Sequence, residues 1–278
     1  VLFARGLRDV DPVLADALAV VYWRGGHGGV EQAALLEADV AVAYGGDEVV
    51  RALRALAPAT TRFVAYHHRI SLGVVAKEAL GPDLLHRTAS EVAGAVAFFD
   101  QRGCVSPQVV YVEAEGPGGA KGFTVALADA LATVERHLPG GALDGIEAAA
   151  LHQVRGSAEL LAASGAGVEV LHGADASWTV VLDPRPAFAP SCVGRVVRVK
   201  AVSDVMRVPA LVEPFGPHLQ TVGVAGAGDR LEALARALGR VGASRITGFA
   251  EVPFPRPWWH HDGRGPLRVL LRWVDLEA

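Results

Sequence analysis

VAVAYGGDEVVRALRALAPATTRFVAY, residues 40–66, is the stretch on which the fold is decided. Val40–Tyr44 is a short apolar run of strand length, and Asp47–Leu56 repeats its apolar residues at helical spacing behind an acidic first turn that suits the helix dipole. Arg62–Tyr66 is a further apolar run, so the segment reads strand, helix, strand with short connections. That alternation is the signature of a parallel, doubly wound α/β sheet.

Working outward, residues 18–23 (LAVVYW) read as a preceding buried strand and residues 30–37 as a helix. Downstream, a long helix is expected over residues 83–102, broken at Gly103-Cys104-Val105-Ser106-Pro107 and followed by a strand at 108–112. A loop at 115–119 (EGPGG) leads to helices at 121–137 and 144–163. Strands at 168–171, 178–182 and 195–199 form a second α/β unit. A strand at 219–224, a helix at 229–239 and a strand at 244–249 follow. A Pro- and Trp-rich loop at 253–265 and a last strand at 267–274 close the chain.

The bulk numbers narrow the function. A chain of 278 residues supports a large core and two domains. Half the residues are apolar and the net charge is −4 with no basic block, which argues against a nucleic-acid surface. No apolar run is long enough to span a bilayer, and the first residues include Arg5, Arg8, Asp9 and Asp11 in place of a signal sequence. The two cysteines, Cys104 and Cys192, are far apart and lack metal spacing, so a reducing, cytoplasmic setting is expected. A start at Val1, in mid-fold, reads as an N-terminally incomplete chain.

Cys104 is the most informative residue. It lies where a helix ends and a strand begins, with Gly103 to permit close backbone approach and Pro107 to stiffen the exit. A thiol on such a turn can offer its sulfur and its backbone N–H to one carbonyl, the first attacking and the second stabilising the oxyanion. The plain alternative is a small buried hydrophobe, which is the better reading of Cys192. His260-His261-Asp262 lacks a third ligand at suitable spacing, so no metal is expected.

Four segments add a resemblance. FFDQRGCVSPQVVYVE (98–113) resembles the nucleophile segment of the long-chain acyl-CoA reductases that supply aldehyde to bacterial luciferase, within the aldehyde dehydrogenase superfamily. AVAYGGDEVVRALR (41–54) resembles the strand–turn–helix that meets the cofactor in that superfamily. VEPFGPHLQTV (212–222) resembles its Glu-x-Phe-Gly-Pro motif, and PWWHHDGRGPLRVLLRWVDLE (257–277) resembles the reductase tail.

The resemblance implies an aldehyde dehydrogenase-like fold: part of a doubly wound cofactor domain over 1–100, a catalytic domain over 101–243 and a C-terminal segment over 244–278. It implies NADPH-dependent reduction of a fatty acyl-CoA, or of an acylated partner protein, through an S-acyl intermediate on Cys104, with NADH as the alternative coenzyme. Glu213 is then expected at the ribose hydroxyls and Phe215 beside the nicotinamide. Gly45 and Gly46 are expected to let the following helix approach the pyrophosphate, or else to make only a tight turn. Hydrolytic relatives carry a glutamate base in the stretch corresponding to FVAYHHRIS (63–71), which here has Tyr66, His67, His68 and Arg69 and no carboxylate. Its loss suits a reductase, and His68 is the favoured proton donor or base, with structural packing as its other reading. The tail is assigned to structure or subunit contact, in a homo-oligomer. The rival readings are a non-catalytic truncated chain, a semialdehyde dehydrogenase of the superfamily, and a nucleotide-binding module with an inert Cys104.

Overall fold

The computed structural model describes residues 2–26, 28–114, 119–174 and 177–277. The expected loop at 115–119 falls outside the described residues apart from Gly119, which opens a helix. The chain divides into two compact units, Val1–Tyr66 and His67–Ala278.

The first unit opens with three helices, α1 (Leu2–Val10), α2 (Pro12–Asp16) and α3 (Gly28–Glu37). It then runs through β1 (Val40–Tyr44), α4 (Asp47–Leu56) and β2 (Arg62–Tyr66), the expected strand–helix–strand. β1 and β2 pair in parallel, Val40 opposite Arg62 through Tyr44 opposite Tyr66. The pair is capped by stacking of the Tyr44 and Tyr66 rings, 4.6 Å between centroids. Residues 18–23 do not form the expected strand: Val20, Val21 and Tyr22 are exposed. An apolar run becomes a strand only when its N–H and C=O groups pair with a neighbour, and the described sheet of this unit contains only β1 and β2.

The second unit is built on β3 (Ile70–Val75), α5 (Leu85–Ala97), β4 (Pro107–Glu113), α6 (Gly119–His137) and α7 (Gly145–Ala163). It continues through β5 (Glu169–His172), β6 (Thr179–Asp183), β7 (Val196–Val202), α8 (Val208–Val212), β8 (Leu219–Ala225), α9 (Leu231–Arg240) and β9 (Arg245–Thr247). Among the described residues its strands form one sheet in the order β5-β6-β7-β4-β3-β8-β9, parallel except for the β5–β6 pair. The division lies upstream of the expected 100/101 boundary because β3 pairs with both β4 and β8, so residues 70–97 build the second unit.

Alternation along the strands feeds two cores. On one face Val75, Val110, Val112, Val197 and Val199 meet Val92 and Val96 of α5 and Phe123, Leu127 and Leu131 of α6. On the other, Leu72, Val74, Val109, Tyr111 and Val222 meet Val208 and Val212 of α8 and Leu234 and Leu238 of α9. Burial on both faces is what a parallel sheet requires. Phe249, fully buried, presses on the sheet where Gly73 and Gly223 lie; a Cβ on either glycine would come within 2.7 Å of its ring. β3, an interior strand of this sheet between β4 and β8, is absent from the sequence reading. Asp144 caps α7 through a reciprocal capping box with Glu147.

Two further expectations are corrected. The helix expected through residue 102 ends at Ala97, and Phe98–Gln101 makes a tight turn in which Phe99, Asp100 and Gln101 take left-handed φ of 58°, 49° and 59°. The last strand, 267–274, is absent: the segment holds one short turn, Arg268–Leu270, and exposes Leu267, Leu270, Leu271, Trp273 and Val274. No helix of the described residues is long and apolar enough to cross a membrane.

Candidate active site around Cys104

The turn that carries Cys104 is clamped from below. Left-handed backbone at consecutive non-glycine residues is unfavourable and persists only where neighbours hold it. Gln101, buried under the turn, supplies most of that hold. Its Nε2 donates to the carbonyls of Pro107 at 3.0 Å and Val196 at 2.8 Å, and its Oε1 accepts from the Val196 N–H at 2.6 Å. Asp100 accepts from the buried guanidinium of Arg195 at 2.8 Å and from the Gly141 N–H at 2.9 Å. At Gly103 a Cβ would lie 3.2 Å from the Phe99 ring and 3.3 Å from Ser106 Oγ, so the glycine also makes room for packing of the turn.

Cys104 itself is exposed at the top of this turn. Ser71 locks the turn to the sheet. Its hydroxyl donates to the Cys104 carbonyl at 2.6 Å and accepts from the Thr221 N–H at 3.1 Å. Ser71 sits where the register of β3 shifts against both β4 and β8. Such irregularities re-aim side chains near functional sites.

The surrounding protein pushes the Cys104 thiol above its ordinary value by desolvation, even though its rim is open to solvent. A hydrogen bond from the Gln220 side chain, the residue's own backbone N–H and the charge of Arg69 pull it back down, while the charge of Asp262 opposes them. Gln220 is fully buried on β8 and its Nε2 donates to Asp262 Oδ1 at 2.7 Å. Asp262 accepts Arg69 Nε on its other oxygen at 2.8 Å. Arg69 also donates to the Pro217 carbonyl at 2.8 Å, which ties the Glu213–His218 turn into the same cluster.

Each expected site residue has a definite place. Glu213 is exposed at the start of the Glu213–His218 turn, and the Phe215 ring lies 4.5 Å from that of Phe188. Gly216 is a close-approach position, where a Cβ would sit 2.5 Å from the Val241 carbonyl oxygen. His68 is exposed; its carbonyl contacts Nδ1 of His67 at 3.1 Å and of His218 at 3.3 Å, and its ring lies 6.5 Å from that of His218. Gly45 and Gly46 belong to the first unit, where Gly46 is the N-cap of α4, makes no side-chain cap bond and has open space where a Cβ would be. Cys192 is half-buried, and burial raises its thiol too. Among the described residues no group of three or more His, Cys, Asp or Glu is placed to hold a metal ion.

The structure therefore joins Gln220 of β8 and Asp262 of the C-terminal loop to the Glu213–His218 turn through Arg69. Of these, Asp262 was assigned to a structural tail and Gln220 to a strand. The only signal in the sequence was that a tail of ordinary surface polarity places an Asp immediately after two histidines and before a glycine.

Comparison with known proteins gives the family and the fold. The profile of the family described as acyl-CoA reductase (LuxC) matches residues 1–273. The chain is 26% identical over 270 residues to the long-chain acyl-protein thioester reductase of Aliivibrio fischeri, covering 97% of this chain and 53% of that protein. Over 270 residues it is 25% identical to long-chain acyl-protein thioester reductase 2 of Photobacterium leiognathi, with the same coverage of 97% and 53%. It thus spans about half the length of these relatives. In fold it is similar to the NAD-dependent aldehyde dehydrogenase of Burkholderia multivorans, with a TM-score of 0.66 at 17% identity over 95% of this chain and 52% of that one. It is similar also to the NADP-dependent glyceraldehyde-3-phosphate dehydrogenase of Bacillus halodurans C-125, with a TM-score of 0.64 at 18% identity over 86% and 51%. The fold is thus α/β of the aldehyde dehydrogenase type, and the chain belongs to the acyl-CoA reductase (LuxC) family.

Proposed function

We propose that the protein reduces a long-chain fatty acyl thioester, carried on coenzyme A or on a partner protein, to the aldehyde through an S-acyl intermediate on Cys104. The observation that carries this reading is the exposed Cys104 thiol, held on a turn that Gln101 and Ser71 clamp to the sheet. The Cys104 sulfur attacks the thioester carbonyl carbon, a new C–S bond forms, and the donor's C–S bond breaks. The departing donor sulfur takes up the proton that Cys104 gave up. A nicotinamide cofactor, when bound, supplies the hydride that takes the acyl group to the aldehyde. Cys104 leaves as the sulfur of that bond and is reprotonated, and His68 is the proposed proton carrier to the emerging product.

The residues fit such a cofactor piece by piece. In the second unit Glu213 is free to accept from ribose hydroxyls, and Phe215 offers an aromatic edge backed by Phe188. Taken by itself, the first unit leaves the start of α4 without a side-chain cap at Gly46, as expected of a helix N-terminus that meets an anion. Asp47 and Glu48 in that first turn work against it, so the contact must come from backbone N–H groups. NADPH is the proposed coenzyme, with NADH as the alternative; both an NAD- and an NADP-dependent enzyme share the fold.

Reduction is favoured over hydrolysis by what the carboxylate near Cys104 is doing. Asp262 has both oxygens engaged, by Gln220 and Arg69, and is sealed from solvent, so it is not a base for water. The exposed apolar side chains of 267–276 support association with a second copy of the chain.

Incubation with a long-chain acyl-CoA and either coenzyme, with aldehyde measured directly, tests the proposal. Aldehyde formed with NADPH, and more slowly with NADH, is the expected result. Free fatty acid in place of aldehyde would overturn it.

A further inference from the structure

One buried carboxylate ties the Pro- and Trp-rich loop near the C-terminus to the strands of the second unit. The Asp262 side chain is 1% exposed, and its backbone is left-handed at φ 51°, a conformation that Asp and Asn tolerate better than most residues. The loop around it is anchored, with the Trp259 and His261 rings stacked 4.8 Å apart and Arg245 lying 5.5 Å over Trp259. One Asp262 oxygen accepts from Gln220 Nε2 at 2.7 Å and the other from Arg69 Nε at 2.8 Å. Gln220 is fully buried, and its Oε1 has no hydrogen-bond partner among the described residues. An unmet buried acceptor is unfavourable, so stability alone does not explain an amide there. What the amide does is orient Asp262.

Arg69 carries that orientation onward. A guanidinium donates in two directions from one rigid plane. Arg69 uses both, with Nε on Asp262 and Nη1 on the Pro217 carbonyl at 2.8 Å. The adjacent His68 carbonyl meets His218 Nδ1 at 3.3 Å, so residues 68 and 69 hold the end of the Glu213–His218 turn twice. Earlier in the turn Gly216 packs so closely on backbone that a Cβ would lie 2.5 Å from the Val241 carbonyl oxygen.

We propose that Asp262 and Arg69 are positioning residues for the coenzyme. Asp262 sets the plane of the Arg69 guanidinium, and Arg69 fixes the Glu213–His218 turn at Pro217. The turn then presents Glu213 to the ribose and Phe215 to the nicotinamide. The proposal rests on Glu213 and Phe215 being coenzyme contacts. It gives the C-terminal loop a part in coenzyme binding. Without Asp262, the Arg69 guanidinium, its side chain 11% exposed, loses the partner that aims it.

NADPH binding, followed by fluorescence of the reduced nicotinamide, tests this beside acylation of Cys104 by a long-chain acyl-CoA, which needs no coenzyme. Asp262→Asn keeps the shape and suits the left-handed backbone. It has one oxygen where two are used, so the Gln220 and Arg69 bonds cannot both keep their directions. NADPH affinity should fall about tenfold, the loss of one hydrogen bond between charged groups. Acylation should not slow, since removing a negative charge near the thiol works in its favour. Arg69→Lys keeps the charge but has no planar fork to span Asp262 and Pro217, so it should weaken NADPH binding similarly. It carries the test if Asp262→Asn fails to fold.

Combination with Glu213→Gln separates positioning from general damage. Glu213→Gln alone should lower NADPH affinity about tenfold, and adding Asp262→Asn should lower it little more, far short of the roughly hundredfold of two independent effects. Unchanged NADPH affinity in Asp262→Asn and Arg69→Lys, beside a loss in Glu213→Gln, would overturn the positioning role alone. So would acylation slowed as much as NADPH binding is weakened, or the full product of the two effects in the double variant. Unchanged affinity in Glu213→Gln, or no NADPH binding by the unsubstituted protein, would remove the coenzyme reading and this proposal together.

Discussion

Gln101→Ala cuts the clamp under the nucleophile turn. Gln101 makes three hydrogen bonds from a side chain that is 6% exposed: two donated, to Pro107 and Val196, and one accepted, from the Val196 N–H. The Val196 carbonyl keeps a bond from Ser191 Oγ at 2.7 Å, so the chief loss is the Val196 N–H, left buried without an acceptor. A buried orphan donor costs about 2 kcal/mol, and the two donated bonds contribute about 1 kcal/mol each, so a loss near 4 kcal/mol is expected. Alanine at the same left-handed φ relieves no strain, since it carries a Cβ as Gln does. Urea denaturation followed by circular dichroism measures the loss, and iodoacetamide alkylation of Cys104 reports the turn. A destabilisation below about 1 kcal/mol, with alkylation unchanged, would refute the reasoning that Gln101 holds the turn.

Gly73→Ala should destabilise by about 1–3 kcal/mol, because the new Cβ meets the Phe249 ring at 2.7 Å; Phe249→Leu in the same chain should recover part of that in a melting experiment. Asp183 gives a pH dependence. Burial opposes its ionisation, yet hydrogen bonds from Arg185 and Lys200 hold its carboxyl at about 2, against an ordinary 3.8. Its folded value is depressed, so it contributes about 2 kcal/mol at neutral pH that is lost as pH falls from about 4 through about 2. Asp183→Asn should flatten that acid limb of the stability profile while lowering neutral stability by about 3–5 kcal/mol, because Lys200 is left buried and unpaired. Cys192→Ser should leave both stability and acylation of Cys104 within experimental error.

What was legible in the sequence was periodicity and local punctuation. Val40–Tyr44, Asp47–Leu56 and Arg62–Tyr66 appear with the bounds read from the chain, since each is set by its own apolar spacing and by Gly45-Gly46 and Pro58 between them. The Cys104 turn was legible through Gly103 and Pro107, although the room that the glycine makes for Phe99 was not. β3 was not legible. Its six buried residues follow His67-His68-Arg69 and are interrupted by Gly73, and nothing local reveals that Phe249, far along the chain, requires that glycine. The apolar runs at 18–23 and 267–274 misled for the converse reason: strand propensity without a partner gives an exposed segment. The Gln220–Asp262–Arg69 cluster was invisible because it joins residues from three distant segments, and only the fold, with β3 and β8 paired in parallel, brings them together.

The central claim is that Cys104 carries the acyl group, and intact-mass spectrometry after mixing the protein with a long-chain acyl-CoA tests it most directly. The account predicts one acyl adduct that is kept in Cys192→Ala, absent from Cys104→Ala and discharged when NADPH is added. An adduct that survives Cys104→Ala, or no adduct on the unsubstituted protein, would contradict it.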